Sequence, residues 1–289
     1  MASTVTVVLI HWNQPDALHC TVARFAEMAE VGHVIVVDNG STEENRALLA
    51  GSLDASVTLI DVGFNSGFGP AANRGLEHWL AHGDNSEWCV VAPHDALPRP
   101  DTIEIMLDAA REHSGAGLLS ADVGDSARPI VDHVFGPILL PAASAAGFEH
   151  VDYPHGTLMM ASRSCLTSIG LFDERFFAYC EEADLGLRAK KAGFEVGLVR
   201  GAVVENPAVS SATPVVEYLM ERNTILLIAQ HFGRRKAAMR WVMMVGQLVA
   251  GSIRPPRRTP YWSSRARRRA IADVVREQWG PPPAELTRG

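Results

Sequence analysis

The segment VTVVLIHWN at residues 5–13 decides the fold of this chain. Its first six residues are apolar or β-branched, which is typical of a strand buried on both faces, and its last three are polar or aromatic. Further runs of the same kind alternate with stretches of helical periodicity. The sequence predicts strands at residues 34–37, 57–60 and 88–92, and helices at residues 15–30, 43–52, 69–82 and 101–113.

This alternation predicts βαβ units, and therefore an α/β fold with a mainly parallel sheet and helices on both faces. Ligands of such sheets bind beyond the carboxyl ends of the strands. The four turns that follow the predicted strands are rich in polar residues and glycine, so we expect them to form one ligand-binding edge. They are residues 11–13, 38–41, 61–69 and 93–95.

Composition fits a large α/β domain with an appendage, because 289 residues with 47% hydrophobic residues can bury a substantial core. The four cysteines are far apart and show no zinc spacing, which favours a reducing, cytoplasmic compartment without structural zinc. The amino terminus lacks the pattern of a signal peptide, and no apolar run reaches the length that would span a membrane.

Charge divides the chain into an acidic body and a basic tail. Residues 234–289 contain 13 Lys or Arg against 3 Asp or Glu, whereas residues 1–233 contain 13 against 30. The acidic body and the scarcity of aromatic residues among the tail arginines argue against a nucleic-acid partner.

The second half of the chain is less regular. Residues 114–155 are rich in Ala, Gly and Pro, and we expect loops and edge strands there. A strand is predicted at residues 195–204, and helices are predicted at residues 215–232 and 237–253, followed by a tail rich in Arg and Pro.

An acidic group, Glu181, Glu182 and Asp184, lies in the segment FFAYCEEADLGLR at residues 176–188. Carboxylates packed this closely beside apolar residues raise one another's pKa, so one of them is a candidate general base. The same acids also suit the first turn of a helix whose later residues are basic. Both interpretations stay open at this point.

Four motifs, in order, resemble the family 2 glycosyltransferases, in particular their rhamnosyltransferase-like branch. They are VLIHWN at residues 8–13, VVDNGS at 36–41, NSGFG at 65–69 continuing to Asn73, and GLFDERFF at 170–177 continuing to EEADL at 181–185. The resemblance runs from about residue 4 to residue 232.

The resemblance implies a GT-A fold over residues 1–232, with a nucleotide-binding half to about residue 115, and a helical, basic extension over residues 233–289. It implies inverting transfer of a sugar from a UDP- or dTDP-linked donor to an acceptor hydroxyl. In the family, the position of Asp38 contacts the base, Asp95 lies at the diphosphate, and Glu182 deprotonates the acceptor. The remaining candidates are His11, Trp12, Asn13, Asn39, Asn65, Gly67 and Asn73 for the nucleotide, and Glu181 and Asp184 beside the base.

The family also implies Mg²⁺ or Mn²⁺, since hard cations stabilise a departing diphosphate. Three departures from the family pattern bear on this. Residues 93–95, Pro-His-Asp, keep only the last acid of the usual Asp-x-Asp motif, Glu205 replaces a histidine after the late strand, and Glu182 replaces an aspartate. The candidate metal ligands are therefore Asp95, Glu205 and His94. A metal-independent variant, in which cationic side chains or helix N-termini hold the diphosphate, remains an alternative.

Three other functions share features with this sequence, namely a dehydrogenase, a nucleotidyltransferase and a binding-only domain. Residues 67–72 fit a dinucleotide-binding GxGxxA pattern, but two βα units precede them, and a dehydrogenase leaves the acidic group unexplained. A nucleotidyltransferase would need a Gly-rich, basic loop after the first strand. A binding-only domain that has lost its metal site remains an alternative.

The acceptor and the tail are open. The acceptor is a carbohydrate, a lipid-linked sugar or a small molecule. Residues 237–253 and the arginines after them fit peripheral contact with the inner face of a membrane. They equally fit a helix that closes the core or pairs subunits in a homodimer, with its arginines solvated.

Overall fold

The computed structural model of the chain describes residues 4–82, 86–206, 213–254 and 261–287. Its strands are β1 (Val5–His11), β2 (Val31–Asp38), β3 (Thr58–Asp61), β4 (Trp88–Pro93), β5 (Leu97–Pro98), β6 (Ala116–Asp122), β7 (Ala127–Asp132), β8 (Gly136–Pro141), β9 (Gly147–His150), β10 (Met159–Ser162) and β11 (Glu195–Glu205). Its helices are α1 (Pro15–Ala26), α2 (Glu43–Ser52), α3 (Phe68–His82), α4 (Thr102–Glu112), α5 (Arg163–Ile169), α6 (Glu181–Lys191), α7 (Thr213–Phe232), α8 (Arg234–Ile253), α9 (Ser264–Val275) and α10 (Ala284–Thr287).

The main sheet confirms the predicted α/β fold. Within the described residues, its strands run in the order β3-β2-β1-β4-β10-β6-β11-β5, with β9 also paired to β11. β1 is parallel to β2 and β4, while β10, β5 and β9 pair antiparallel. Buried side chains form one core under α1 and α4 and a second core under α3, α5 and α6, so helices cover both faces as expected.

Strand register brings the predicted turns to one edge of the sheet. His11 is opposite Asp38, Asp38 is opposite Asp61, and Ile10 is opposite Pro93. The first four strands therefore end side by side. This register confirms the prediction that their polar turns share one edge.

Residues 114–155 correct one expectation. β6 is not an edge strand or a loop but lies inside the main sheet, between β10 and β11. Its residues are buried on both faces, so the polar-apolar alternation of an exposed strand is missing and its small residues were mistaken for a loop. The hairpin β7–β8 is separate from the main sheet.

The carboxyl-terminal helices correct a second expectation. α8 and α9 pack on α7 around a third core, and two arginines that were expected to be solvated or to face lipid, Arg267 and Arg269, form ion pairs instead. Arg267 is 1% exposed and contacts Glu217 and Glu221 at 2.6 and 2.7 Å. Arg240 pairs with Glu221, and Arg269 pairs with Asp273 and Glu285. No helix in the described residues is long and apolar enough to cross a membrane.

Candidate active site

The turn after β2 holds a buried carboxylate, Asp38. His11 Nε2 accepts a hydrogen bond from the backbone N–H of Gln14 at 3.1 Å, so its proton lies on Nδ1, 3.1 Å from Asp38 Oδ1. The Ser41 hydroxyl donates to the same oxygen at 2.5 Å. Burial opposes ionisation of Asp38, but the hydrogen bonds from His11 and Ser41 outweigh it and lower its pKa. Asp38 is therefore held as a carboxylate.

The other oxygen of Asp38 is available to a ligand. Oδ2 is buried and has no hydrogen-bond partner in the described parts of the chain. A buried acceptor without a partner is costly, and a bound N–H donor would remove that cost. The nearby Trp12 side chain is 43% exposed, so its ring is also accessible at this edge.

Three asparagines among the expected nucleotide contacts hold the turns together. Asn13 Oδ1 accepts from the backbone N–H of Thr42 at 2.8 Å. Asn39 Oδ1 accepts from Ser66 N at 2.9 Å, while its amide donates to Gly67 O at 3.2 Å. Asn65 Oδ1 accepts from Gly67 N at 3.0 Å. These side chains shape the edge: all three oxygens accept hydrogen bonds within the protein, and the amide of Asn39 also donates within it.

The 65–67 turn packs against the loop that leads to the acidic group. Gly67 has φ +100°, and a Cβ there would lie 2.2 Å from the carbonyl oxygen of Phe177. Only glycine fits this approach. Asn73, on α3, makes a second connection, because its amide donates to Phe172 O at 2.9 Å and its oxygen accepts from Phe172 N at 3.0 Å. The expected nucleotide edge and the acidic group are thus in direct contact.

The loop before α6 is strained, and Asn223 holds it. Phe177, Tyr179 and Cys180 have φ between 65° and 74°, a region that non-glycine residues rarely adopt. Asn223, fully buried on α7, is oriented by Arg222, whose Nε donates to Asn223 Oδ1 at 3.0 Å. The amide of Asn223 donates, at 2.8–2.9 Å, to the carbonyls of residues 176, 178 and 179. Sequence reasoning missed this residue, although a polar pair inside an apolar helix was a visible signal.

Glu182 is partly exposed in the first turn of α6. A Cβ on Gly156 would lie 2.0 Å from Glu182 Oε1, so the carboxylate lies directly against the backbone of Gly156. Burial raises the pKa of Glu182 to about 7 from its ordinary value of 4.5. Tyr153, which the sequence did not single out, is a neighbour, since burial and then the Glu182 charge raise the pKa of its hydroxyl.

Glu181 and Asp184 have different surroundings. Glu181 is buried beside Gly69, and its Oε2 has no partner among the described residues. Burial, followed by the charge of Glu182, raises the pKa of Glu181 well above its ordinary value. Asp184 uses both oxygens, accepting from Arg188 Nε at 2.8 Å and pairing with His231 Nε2 at 2.7 Å. Burial therefore disfavours the charged form of Glu181, whereas Asp184 connects α6 to α7.

The three candidate metal ligands are not gathered into one group. Asp95 is half-buried, and its carboxylate has no hydrogen-bond or ion-pair partner in the ranges that the structure describes. The buried His94 donates from Nδ1 to Ile10 O at 3.3 Å, and burial lowers its pKa. Glu205 is exposed at the end of β11, in register with Leu97 of β5. Within residues 4–82, 86–206, 213–254 and 261–287, no three His, Cys, Asp or Glu side chains could hold a metal ion together.

Comparison with known proteins assigns the fold and the family. The family model for glycosyl transferase family 2 matches residues 6–166, which is more than half of the chain. This chain belongs to glycosyl transferase family 2. The glycosyltransferase is 29% identical over 248 residues to the N-acetylglucosaminyl-diphospho-decaprenol L-rhamnosyltransferase of Mycobacterium tuberculosis, covering 73% of this chain and 79% of that protein.

A second relative is the low-salt glycan biosynthesis hexosyltransferase Agl10 of Haloferax volcanii, which is 26% identical over 210 residues, 68% of this chain and 65% of that protein. These relatives identify the glycosyltransferase as a hexosyltransferase that resembles rhamnosyltransferases and acts in carbohydrate biosynthesis with nucleotide-sugar donors.

Solved structures agree on the GT-A fold. The mannosyltransferase PcManGT of Pyrobaculum calidifontis, in complex with GDP-Man and Mn²⁺, superposes with a TM-score of 0.58 at 15% identity, covering 95% of this chain and 87% of that one. GalNAc-T7 with UDP, GalNAc and Mn²⁺ superposes with a TM-score of 0.63 at 12% identity. This match covers 96% of this chain and 56% of the GalNAc-T7 chain. The glycosyltransferase therefore has the expected GT-A fold with a helical carboxyl-terminal extension.

Proposed function

We propose that this glycosyltransferase moves a sugar from a UDP- or dTDP-linked donor to an acceptor hydroxyl with inversion, and that Glu182 is its general base. One observation carries this proposal. Of the three acids at the start of α6, Glu182 is the one that combines partial exposure, a pKa near neutrality and, in the described residues, no cationic partner.

Inversion follows from a single displacement. Glu182 takes the proton as the acceptor O–H bond breaks, the oxygen bonds to the anomeric carbon, and the bond to the diphosphate breaks with its electron pair. Such a step needs one base within hydrogen-bond reach of the acceptor. Burial disfavours the charged form of Glu181, and both oxygens of Asp184 are paired, which leaves Glu182 as the residue for this role.

The donor base binds, in this proposal, at the edge formed by the turns after β1, β2 and β3. Uracil and thymine each carry an imide N–H, which matches the buried Oδ2 of Asp38, an oxygen with no partner among the described residues. The exposed ring of Trp12 offers a stacking surface beside it. His11 and Ser41 keep Asp38 ionised, and Asn39 keeps the 65–67 turn in place.

A divalent cation fits this edge through Asp95. Mg²⁺ in nucleotide sites is commonly held by one or two carboxylates together with substrate phosphates, so three protein ligands are not required. Asp95 follows the carboxyl end of β4, and its carboxylate has no partner among the described residues. Glu205 lies on β11, the strand that is paired with β5. His94 contributes a buried Nε2 that has no partner in the described residues. When bound, the cation would neutralise charge on the departing diphosphate.

We further propose that the acceptor is a sugar on a lipid-linked diphosphate. The name of the Mycobacterium tuberculosis relative states an N-acetylglucosaminyl-diphospho-decaprenol acceptor and L-rhamnose as the transferred sugar. An acceptor of this class would place the enzyme in the cytoplasm, at the inner face of a membrane.

Calorimetric titration with UDP and dTDP, each with and without Mn²⁺, tests the donor site. We expect micromolar binding of one nucleotide, weaker binding to Asp38→Ala, and loss of the Mn²⁺ effect in Asp95→Asn. Binding that is indifferent to Mn²⁺ would identify the metal-independent variant. Binding without release of nucleoside diphosphate from any UDP- or dTDP-sugar would favour the binding-only domain, and no binding would contradict the donor-site assignment.

A further inference from the structure

The outward face of α8 is apolar along most of its length. Ala237, Arg240, Met244 and Gly251 are its buried residues, and they face α7 and α9. On the opposite side, residues recurring every three or four positions form a stripe about 20 Å long at 1.5 Å per residue. The stripe consists of Met239, Val242, Gly246, Val249 and Ile253, whose large side chains are 48–72% exposed.

Cationic side chains surround this stripe, and acids are missing from it. Exposed arginines mark both ends of α8, namely Arg234 and Arg235 at the first turn and Arg254 just beyond the last. From residue 234 to residue 276 the sequence contains one acid, Asp273, which is buried and paired with Arg269. The outward surface of α8 and α9 therefore combines apolar and positively charged groups without a compensating carboxylate of its own.

The same surface adjoins the acceptor half of the enzyme, residues 116–232, which is the half of the domain expected to bind the acceptor. Lys236, in the first turn of α8, lies 3.2 Å from His133 in the turn of the β7–β8 hairpin, and the His133 ring stacks on Phe232 of α7. The hairpin turn presents a further exposed apolar side chain, Phe135. The amino-terminal turn of α8, where the stripe begins, is thus in contact with the hairpin turn.

We infer that the outward face of α8 docks on the surface of an anionic phospholipid bilayer, with the stripe inserted at the level of the headgroups. An amphipathic helix that lies in the plane of a membrane needs an apolar face and basic residues beside it, and α8 has both. A second copy of the chain fits this face less well, because either orientation of α8 against α8 brings arginines together without acids between them. Docking by this face would present the acceptor half to the membrane, a consequence that rests on the proposed lipid-linked acceptor.

Vesicle flotation with the full chain tests this inference. We expect the protein to float with vesicles of phosphatidylcholine and phosphatidylglycerol, and to float far less with phosphatidylcholine alone. Val242→Gln/Val249→Gln/Ile253→Gln should reduce the binding about tenfold or more, because insertion of the apolar side chains is lost. Arg234→Gln/Arg235→Gln/Arg254→Gln should remove the preference for the anionic lipid. Leu48→Gln/Leu59→Gln, which changes exposed leucines on α2 and β3, is the matched control and should bind like the wild type.

Nucleotide binding by each variant verifies that it is folded. Vesicle binding that the α8 variant leaves unchanged would overturn the inference. A different result would be a wild type that fails to bind vesicles and sediments as a dimer that the α8 substitutions convert to a monomer. That result would identify the face as a subunit contact. The vesicles contain neither donor nor acceptor. Failure of the wild type to bind vesicles would therefore contradict the membrane-docking inference without bearing on the proposed reaction, which is tested separately with nucleotides.

Discussion

Glu182 and Asp184 both lie in the first turn of α6, but the fold gives their carboxylates opposite surroundings. Asp184 receives Arg188 from its own helix and His231 from α7, so each of its oxygens has a partner. Glu182 lies against the backbone of Gly156, where burial raises its pKa to about 7. The first arrangement commits a carboxylate to two partners, and the second keeps a carboxylate ready to exchange a proton near neutral pH.

The proposed general base, Glu182, thus differs from Asp184 in having no cationic partner among the described residues. The three acids of the group are nearly equivalent in sequence. Asn223 adds to the difference, because it holds the strained turn before α6 from a distant position on α7. The following predictions test this contrast between the two carboxylates, beginning with the largest expected effect.

Glu182→Gln should reduce kcat by about a thousandfold, since general base catalysis contributes roughly 10²–10⁴. Nucleotide affinity by calorimetry should stay within a few-fold of the wild type. The matched control is Glu181→Gln, which replaces a carboxyl whose charged form burial already disfavours and should keep most of the activity. If Glu181→Gln is the inactive variant and Glu182→Gln is active, the base has been assigned to the wrong residue.

Asp184→Asn should lower the free energy of unfolding by about 2–4 kcal/mol, because Arg188 loses its counter-charge and His231 loses a buried carboxylate as its partner. Urea denaturation measures this change. Glu77→Gln is the control, since its pair with Arg74 is exposed and should contribute less than about 1 kcal/mol. Normal stability combined with an altered pH profile of kcat in Asp184→Asn would instead make Asp184 part of the proton transfer.

Gly156→Ala should lower kcat by roughly tenfold to a hundredfold, because the new methyl group would displace the Glu182 carboxylate by more than a bond length. Steady-state kinetics with saturating donor would show the loss. Gly51→Ala is the control, as nothing lies within 4 Å of a Cβ there. Full activity in Gly156→Ala would show that the position of this carboxylate does not matter for turnover.

An increase in pH should raise the activity but lower the stability. Since Glu182 must be ionised to act, kcat should rise about tenfold per pH unit below a pH of about 7 and then level off. Because its folded-state pKa lies above the ordinary 4.5, the native state favours the protonated form, and stability falls as pH rises from about 4.5 to 7. Glu182→Gln should therefore be more stable than the wild type at pH 8, by an amount on the order of 1–3 kcal/mol, and similar at pH 4. Equal stability of the two proteins at pH 8 would contradict the raised pKa.

The first half of the fold was readable from the sequence, whereas parts of the second half were not. β1 to β4 are continuous apolar runs that end in turn-forming residues, and these are local signals. β6 lacks such a run, because its two leucines stand among Ala, Gly and Ser, and these small residues resemble a loop. Arg267 of α9 looked solvated because its acidic partners, Glu217 and Glu221, lie about fifty residues earlier in the chain.

The sequence by itself determined the α/β architecture, the shared edge of polar turns, and the helix that begins at the acidic group, since each depends on hydrophobic period and short-range turn chemistry. Only the tertiary structure decided that Asp38 is held ionised with one oxygen open, that Asn39 and Asn73 are used within the protein, and that Glu182 differs from Asp184. These properties depend on burial and on partners from distant segments. Both arise from chain packing, which the spacing of residues along the sequence does not encode locally.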